Sequence, residues 1–184
     1  MTSPPPGDLE IGPRNGRLRL RTYRQGVAAK AGHDLVLEAA SWSGRVRLPG
    51  EEGEAPSVEV EVDLRRRDVV EGTGGVKPLS ERDKADIRTA MQKPLRTDSH
   101  PVAQFTSSHV QVVGDEATVV GELFLAGQSH PLELALRRSH DGTIVGSAQV
   151  VQTAWGVKPY TGLLGALKLR DAVDVEVELH LPVT

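Results

Sequence analysis

The sequence predicts an all-β fold: an antiparallel β-barrel of about eight strands, with one short α-helix inserted at about residues 81–92. Three observations support this prediction: runs of alternating apolar and polar residues, turn residues between these runs, and one segment with helical spacing. Alternation gives a strand one apolar and one polar face. Many short strands with tight turns are typical of a sandwich or a barrel, and closure of a barrel removes the exposed sheet edges.

The chain divides into an N-terminal arm and one folded domain. Residues 1–15 are rich in proline, glycine and charge, which predicts a flexible arm. Residues 16–184 have the length of one domain. Because 38% of the chain is hydrophobic, this domain can fill an interior.

The clearest strands are those with strict alternation. Val58 to Leu64 places valines and a leucine on one face and carboxylates on the other, and Val173 to Leu181 repeats the pattern. Asp141-Gly142 is typical of a hairpin turn. No strand is predicted in residues 65–79, which are expected to form a long loop. Further strands are predicted around Leu18, Leu35, Val46 and Leu132, and at 101–107, 109–113, 117–126 and 143–151.

One segment has the signature of a helix. Ser80 is a candidate N-cap, and Asp83, three residues later, completes a pattern that resembles a capping box. Ile87, Ala90 and Met91 then share one helical face. Pro94 follows the predicted helix and cannot continue it.

The predicted inner face is made of small aliphatic residues. Valine, leucine and alanine dominate it, and the whole chain has only six aromatic residues, two each of Trp, Tyr and Phe. A barrel of about eight strands is filled by its own side chains or holds one small ligand. The aliphatic composition allows both.

Composition and charge argue against several functional classes. The formal net charge of −3 disfavours nucleic acid as a partner and also disfavours a peripheral, charge-driven membrane contact. The absence of cysteine excludes disulfides and thiolate chemistry. No signal peptide is visible and no apolar run reaches the ~18 residues of a spanning helix, so we expect a cytoplasmic chain that does not span the membrane.

Neither a metal site nor catalytic residues are predicted. The six histidines lack the helical spacing of a zinc protease. Asp98-Ser99-His100 contains the residue types of a catalytic triad, but adjacency in sequence is not triad geometry and the chain has no nucleophile elbow. The sequence therefore predicts a protein that is not an enzyme.

An ordered set of short motifs resembles the YceI-like family of polyisoprenoid-binding proteins. The motifs span the chain from about Gly16 to Leu181, and their order is more specific than any one of them. They are Gly32-His33-Asp34, Ser41-Trp42-Ser43-Gly44, Asp63-Leu64, Leu79-Ser80, His100-Pro101, Gly121-Glu122-Leu123, His130-Pro131-Leu132 and Trp155-Gly156-Val157-Lys158-Pro159.

The resemblance implies a lipocalin-like barrel whose internal tunnel holds a long-chain apolar molecule. The expected ligand is a polyisoprenoid, such as an isoprenoid quinone, or a fatty amphiphile, and no other cofactor is expected. It also implies that the chain can form a homodimer. The candidate ligand-binding residues are His33, Asp34, Leu35, Leu37, Val60, Val62, Met91, Phe105, Phe124, Leu134, Leu163, Leu164 and Leu167.

Alternatives to this function remain open. His33 and Asp34 could bind a ligand head group, or they could be a structural pair that satisfies backbone groups. In a different function, His33 would act as acid or base on a lipid-like substrate, with Asp34 orienting it. A third alternative is a non-catalytic, stress-related interaction module, which an outward apolar patch would favour.

Two loop features have two interpretations each. Gly75-Val76-Lys77-Pro78 and Gly156-Val157-Lys158-Pro159 repeat one another, either as paired loops at the barrel mouth or by chance. Leu163, Leu164 and Leu167 lie among glycines and form either a mobile apolar lid or a core segment.

Overall fold

The structure is a computed structural model that describes residues 7–48 and 55–181. Within these residues the chain forms fourteen strands, one α-helix and three short 3-10 turns. The strands are β1 (Gly7–Ile11), β2 (Gly16–Thr22), β3 (Arg24–Gln25), β4 (His33–Ala39), β5 (Trp42–Leu48), β6 (Ser57–Asp63), β7 (Arg67–Gly74), β8 (Val102–Val113), β9 (Glu116–Leu125), β10 (Gln128–Arg138), β11 (Thr143–Val151), β12 (Thr161–Gly162), β13 (Leu167–Leu169) and β14 (Ala172–His180). The helix is α1 (Glu81–Ala90), and the 3-10 turns are Ala29–Ala31, Gln152–Trp155 and Leu163–Gly165.

Eleven of the strands form one antiparallel sheet in the order β1-β5-β6-β8-β9-β10-β11-β14-β2-β4-β7. The sheet curls strongly into a half-barrel, with β1 and β7 as its two edges. The short strands β12, β13 and β3 form a second sheet at one end. The all-β class with one short helix is confirmed, although the predicted barrel of about eight strands is a half-barrel with more strands.

The first additional strand lies in the predicted arm. Within residues 1–15, the structure places Gly7–Ile11 in β1, which pairs with β5, so the arm prediction is wrong for this segment. Leu9 and Ile11 pack into a buried cluster with Trp42, while Asp8 forms an ion pair with Arg47 at 2.8 Å. Two apolar residues in a proline- and glycine-rich context were too short a pattern to predict this strand. Residues 1–6 lie outside the described residues.

The second additional strand, β7, occupies most of the predicted loop at 65–79. It pairs with β4 across a register shift between Val36 and Leu37. Such an irregularity places two residues of one strand opposite one of its partner. The shift interrupts the alternation of Val69 with its neighbours, so the segment did not show the pattern of a regular strand.

Helix α1 begins at the predicted capping box. The Ser80 hydroxyl accepts a hydrogen bond from the Asp83 amide at 3.2 Å, and the Asp83 carboxylate accepts one from the Ser80 amide at 2.9 Å. Together these bonds satisfy two backbone donors that a helix start leaves free. The helix ends at Ala90, two residues earlier than predicted, and Met91 is its C-cap. Ile87 and Met91 pack against the buried cluster of β4 and β7.

The two faces of the curled sheet differ in chemistry. Apolar side chains that alternate inward form three buried clusters, whose most buried large members include Leu37, Trp42 and Trp155. The outer face carries ion pairs between neighbouring strands, such as Arg19 with Glu38 at 2.7 Å and Arg21 with Glu176 at 2.6 Å. The sheet therefore encloses an aliphatic concave side and presents a charged convex side.

Candidate functional site

The aliphatic inner face is the candidate site. Strand pairing places inward side chains in register across the sheet: Leu134 lies opposite Val119, and Val177 lies opposite Leu18. Many of these side chains are only half-buried although they face inward. Half-buried inward aliphatic residues are Leu18, Leu20, Val60, Val62, Leu134, Leu136, Ile144, Val175 and Val177. An inward surface that solvent still reaches is a surface that an apolar ligand can cover.

Glycines on the inner face make room for large neighbours. A Cβ at Gly146 would lie 2.2 Å from a Leu136 methyl and 2.8 Å from a Val177 methyl. A Cβ at Gly121 would lie 2.6 Å from the Phe105 ring. Side chains at these positions would displace their neighbours, so the glycines set the contour of the inner face.

Two tryptophans anchor separate buried clusters on this face. Trp42 packs with Ile11, Ala39 and Leu179, and Trp155 packs with a second group around Ala126. The Trp155 indole donates a hydrogen bond to the Leu123 carbonyl at 2.9 Å and meets the His130 ring edge-on at 5.3 Å. Because its polar atom is satisfied, Trp155 can stay in the core without a desolvation penalty.

Two polar side chains are buried with an unsatisfied atom. The Thr22 hydroxyl faces inward next to Leu35, its partner across the β2–β4 pair, and has no hydrogen-bond partner in the described residues. Arg67 donates hydrogen bonds to the Leu64 carbonyl and, at 2.6 Å, to the Arg88 carbonyl, while its Nε has no partner in that same part of the chain. Burial, followed by the nearby charge of Arg88, lowers the pKa of Arg67. Neither residue is predictable from the sequence alone, because the burial of both depends on strand pairing.

His33 and Asp34 have structural partners on different parts of the chain. The His33 Nε2 lies 2.9 Å from the Lys77 carbonyl oxygen. The Asp34 carboxylate accepts a hydrogen bond from the Arg24 amide at 2.8 Å, and its oxygen lies 3.8 Å from the Arg24 Nε. These contacts join the start of β4 to the connection that contains Lys77 and to Arg24 at one end of the sheet. Contacts of this kind are those expected of the structural alternative, in which the pair satisfies backbone groups.

The structure brings most of the other candidate residues to the inner side. Leu35 and Leu37 are buried beneath helix α1 together with Met91, which packs against them. Phe105 is buried on β8, and the remaining candidates are half-buried. The candidates on this side are Leu35, Leu37, Val60, Val62, Met91, Phe105 and Leu134.

Three candidates lie elsewhere. Phe124 pairs with the exposed Gln104 and meets the His100 ring edge-on at 5.8 Å, so it lies on the outer side of β9. Leu163 and Leu164 are exposed at a 3-10 turn, with 59% and 108% of their surface accessible. These two leucines are therefore not part of the core. The neighbouring candidate Leu167 is half-buried against Gly32.

The outer face has two open grooves with a different chemistry. One, of about 880 Å³, is lined mostly by exposed residues such as Glu10, Arg45 and Glu61. The other, of about 570 Å³, crosses five strands, and its lining mixes arginines and glutamates, such as Arg19 and Glu176, with small or apolar residues such as Ala135. A long apolar chain would leave these charged groups without water, so the aliphatic inner face is the better candidate site.

Neither a metal-ligand cluster nor a membrane-spanning helix occurs in the part of the chain that the structure describes. Within residues 7–48 and 55–181, no three His, Asp or Glu side chains come together as a metal site. In the same part of the chain, no helix has the length and apolar character needed to cross a bilayer.

Comparison with known families shows which family this chain belongs to. A sequence profile described as "YceI-like domain" matches residues 22–181, which is most of the chain. The chain belongs to the YceI-like family. This confirms the resemblance expected from the ordered motifs. A search of curated proteins gives no significant match.

Solved structures share the fold. BcnA of Burkholderia cenocepacia is 14% identical, with a TM-score of 0.66 over 89% of this chain and 94% of that one. A YceI protein of Campylobacter jejuni is 14% identical, with a TM-score of 0.51 over 79% of this chain and 84% of that one. At this identity the likeness shows the fold of the YceI-like family. Homodimer formation and a cytoplasmic location stay predictions from the sequence.

Proposed function

We propose that this YceI-like chain is a carrier that holds one long-chain apolar amphiphile, such as a polyisoprenoid, against the concave inner face of its half-barrel. The observation that carries the proposal is the row of half-buried, inward aliphatic side chains that includes Leu18, Leu134 and Val177. The family to which the chain belongs binds apolar small molecules. Both point to the same class of ligand.

Burial of hydrocarbon would supply the binding free energy. Each Å² of apolar surface removed from water contributes ~25 cal/mol, reduced by the cost of ordering a flexible chain. The half-buried inward row consists of valines, leucines and one isoleucine. Covering these side chains with a ligand would therefore not remove a charged group of the row from water. We therefore expect affinity to rise with the length of the hydrocarbon chain and to change little with salt.

The head of the amphiphile needs a polar partner. The Thr22 hydroxyl faces the inner side, is buried, and has no hydrogen-bond partner in the described residues, although it can donate and accept a hydrogen bond. Apolar ligand sites commonly contain a few such groups that fix the orientation of the ligand. We propose that Thr22 binds the polar head and so orients the ligand.

Catalysis by His33 has less support. Its Nε2 is directed at the Lys77 carbonyl oxygen, and the neighbouring Asp34 carboxylate bonds to Arg24. A general base needs to reach the proton that it removes, and its orienting carboxylate needs to reach the base. The observed contacts instead hold loops in place, so we propose binding without chemistry.

Mass spectrometry of an organic extract of the purified protein tests the carrier proposal. We expect a long-chain isoprenoid or fatty amphiphile near one molecule per chain. The Leu134→Trp variant places a large ring on the inner face and should lose this molecule. Ala135→Trp is its matched control because the next residue on β10 faces outward and is exposed.

Two results would contradict the carrier proposal. One is an extract of the unaltered protein without any amphiphile, followed by no binding of added decaprenol or palmitate. The other is equal retention of the amphiphile by Leu134→Trp and Ala135→Trp, which would place the ligand away from the inner face. Circular dichroism of both variants should match that of the unaltered chain.

A further inference from the structure

Three connections meet at one end of the half-barrel, and together they form what we call the rim: residues 23–33, 73–80 and 156–170. The first and third are joined by the β3–β13 pair and by a hydrogen bond from the Ala28 amide to the Ala166 carbonyl at 3.0 Å. The first and second are joined by the His33 contact with the Lys77 carbonyl oxygen. The rim is therefore one continuous surface made from distant parts of the sequence.

The rim concentrates exposed apolar side chains. Five of the ten large apolar side chains that are exposed in the described residues lie on it. Their accessible fractions are 96% for Val27, 86% for Val76, 51% for Tyr160, 59% for Leu163 and 108% for Leu164. Val27, Val76 and Leu164 are nearly fully exposed, which costs free energy in water. Exposed apolar side chains on all three segments of the rim indicate a surface that is covered in use.

The backbone presents the two leucines outward. Leu163 and Leu164 have φ angles of 48° and 55°, in the left-handed region that few leucines adopt. The turn is closed by a hydrogen bond from the Ala166 amide to the Leu163 carbonyl at 3.1 Å. Strained backbone of this kind clusters at functional sites. Here it holds two apolar side chains in solvent at the tip of a loop.

The rim is also strongly basic. Its three segments contain six lysines and arginines and no Asp or Glu, a formal charge of +6 in a chain whose net charge is −3. Arg24 is paired with Asp34. Four more acidic residues lie at the margins: Glu71 is exposed, Glu81 forms an ion pair with Lys84, and Asp83 and Asp171 accept hydrogen bonds from their neighbours. The five exposed basic residues are Lys30, Lys77, Lys158, Lys168 and Arg170.

We propose that the rim docks on the surface of an anionic lipid bilayer. In this arrangement the side chains of Leu163, Leu164, Val27 and Val76 insert among the lipids, and the exposed lysines face the head groups. Apolar side chains with surrounding lysines are the combination that binds an anionic interface. The local charge of the rim outweighs the argument from net charge, because electrostatic attraction falls off within about a Debye length. This docking goes beyond the carrier function and does not depend on it.

A bilayer fits the rim better than a protein partner does. Lysine is depleted in protein–protein interfaces, whereas four exposed lysines lie among the apolar tips here. The apolar side chains are also on three separate loops rather than in one contiguous patch. Separate tips can each enter a fluid interface, while a folded partner would have to provide a matching pocket for each tip.

Sedimentation with lipid vesicles tests the docking. We expect the full chain to bind vesicles of phosphatidylglycerol and phosphatidylcholine, and to bind phosphatidylcholine alone much more weakly. Leu163→Ser with Leu164→Ser should weaken binding by at least about tenfold, because two buried leucine side chains are lost from the interface. The matched control is Val112→Ser with Val113→Ser, which removes the exposed apolar tip at the β8–β9 hairpin and should leave binding unchanged.

A charge variant tests the second half of the proposal. Changing Lys30, Lys77, Lys158 and Lys168 to glutamine should reduce binding to the anionic vesicles and should weaken its dependence on salt. The proposal would be overturned if the Leu163→Ser, Leu164→Ser double variant bound anionic vesicles as well as the unaltered chain does. It would also be overturned if the chain did not bind vesicles and instead self-associated through the rim. Sedimentation velocity would show this as self-association that the double leucine variant loses.

The outcome is separable from that of the carrier proposal. Vesicle binding without an extractable amphiphile would support docking and contradict the carrier function. An extractable amphiphile without vesicle binding would contradict docking and leave the carrier function supported.

Discussion

The inner face and the rim both leave apolar side chains accessible, but in different settings. On the inner face, leucines and valines such as Leu134 and Val177 are half-buried on the concave side of a curled sheet. On the rim, Leu164 stands in solvent beside lysines. Leucine and valine side chains therefore form an enclosed apolar surface on the inner face and an open surface on the rim. Their surroundings, rather than their hydrophobicity, distinguish the two proposed roles.

The repeated tetrapeptide shows this contrast within four residues. Val157 of Gly156–Pro159 is 2% exposed, while Val76 of Gly75–Pro78 is 86% exposed. Val157 follows the buried Trp155, which carries it into the core, whereas Val76 follows two glycines in a connection. The two copies are not equivalent loops, although both lie at the same end of the half-barrel.

The largest predicted difference in stability between the core and the rim is at Trp155. Trp155→Ala removes a buried ring and should lower the free energy of unfolding by about 3–5 kcal/mol. Leu164→Ala should change it by less than about 0.5 kcal/mol, since the side chain is exposed. Urea denaturation measures both. Similar losses for the two variants would mean that the rim is part of the core.

The two valines of the repeat give a smaller, matched difference. Val157→Ala should lower the free energy of unfolding by about 2 kcal/mol, because a fully buried valine loses its packing contacts. Val76→Ala should leave it nearly unchanged. Thermal unfolding of both variants checks this, and a measurable loss for Val76→Ala would contradict the exposure described for that loop.

At Thr22 we expect an effect on the ligand that exceeds the effect on folding. Thr22→Val keeps the shape of the side chain and removes an unsatisfied hydroxyl, so the free energy of unfolding should stay the same or rise by about 1 kcal/mol. Retention of the amphiphile should fall if Thr22 binds its head. Extraction and urea denaturation on the same preparation separate the two effects. Unchanged retention would remove Thr22 from the site.

The smallest predicted effect is at the edge strand β1, away from both regions. A hydrogen bond from Arg47 holds the pKa of Asp8 below its ordinary value, against the opposing effect of desolvation. Because the folded pKa is lowered, this pair stabilises β1 above about pH 4 and loses its effect as the pH falls through the folded pKa. Amide exchange in β1 should therefore increase at acid pH relative to β10. Asp8→Asn should remove this pH dependence, and its persistence would assign it to another group.

Much of the fold was predictable because the local signals agree with the global structure. The strict alternation of Val58 to Leu64 became β6, and Asp141-Gly142 became the turn between β10 and β11. The capping box at Ser80 and Asp83 placed the start of the helix at the correct residue. In these segments the pattern is long enough, or the turn chemistry specific enough, to determine the element without tertiary contacts.

The rest depended on pairing that a single sequence does not reveal. Phe124 stands in the continuous apolar run Leu123–Leu125, where alternation cannot say which side chain faces inward, and the register with β8 places it outside. The exposure of Leu163 and Leu164 follows from a left-handed turn that glycine neighbours alone do not specify. The burial of Thr22 and Arg67 arises from partners distant in sequence.

A crystal structure of the protein as purified, without added lipid, tests the carrier proposal most directly. We predict one elongated tube of electron density along the inner face, in contact with Leu18, Leu134 and Val177 and ending near the Thr22 hydroxyl. An inner face on which these side chains close against one another and leave no space for a chain would contradict it.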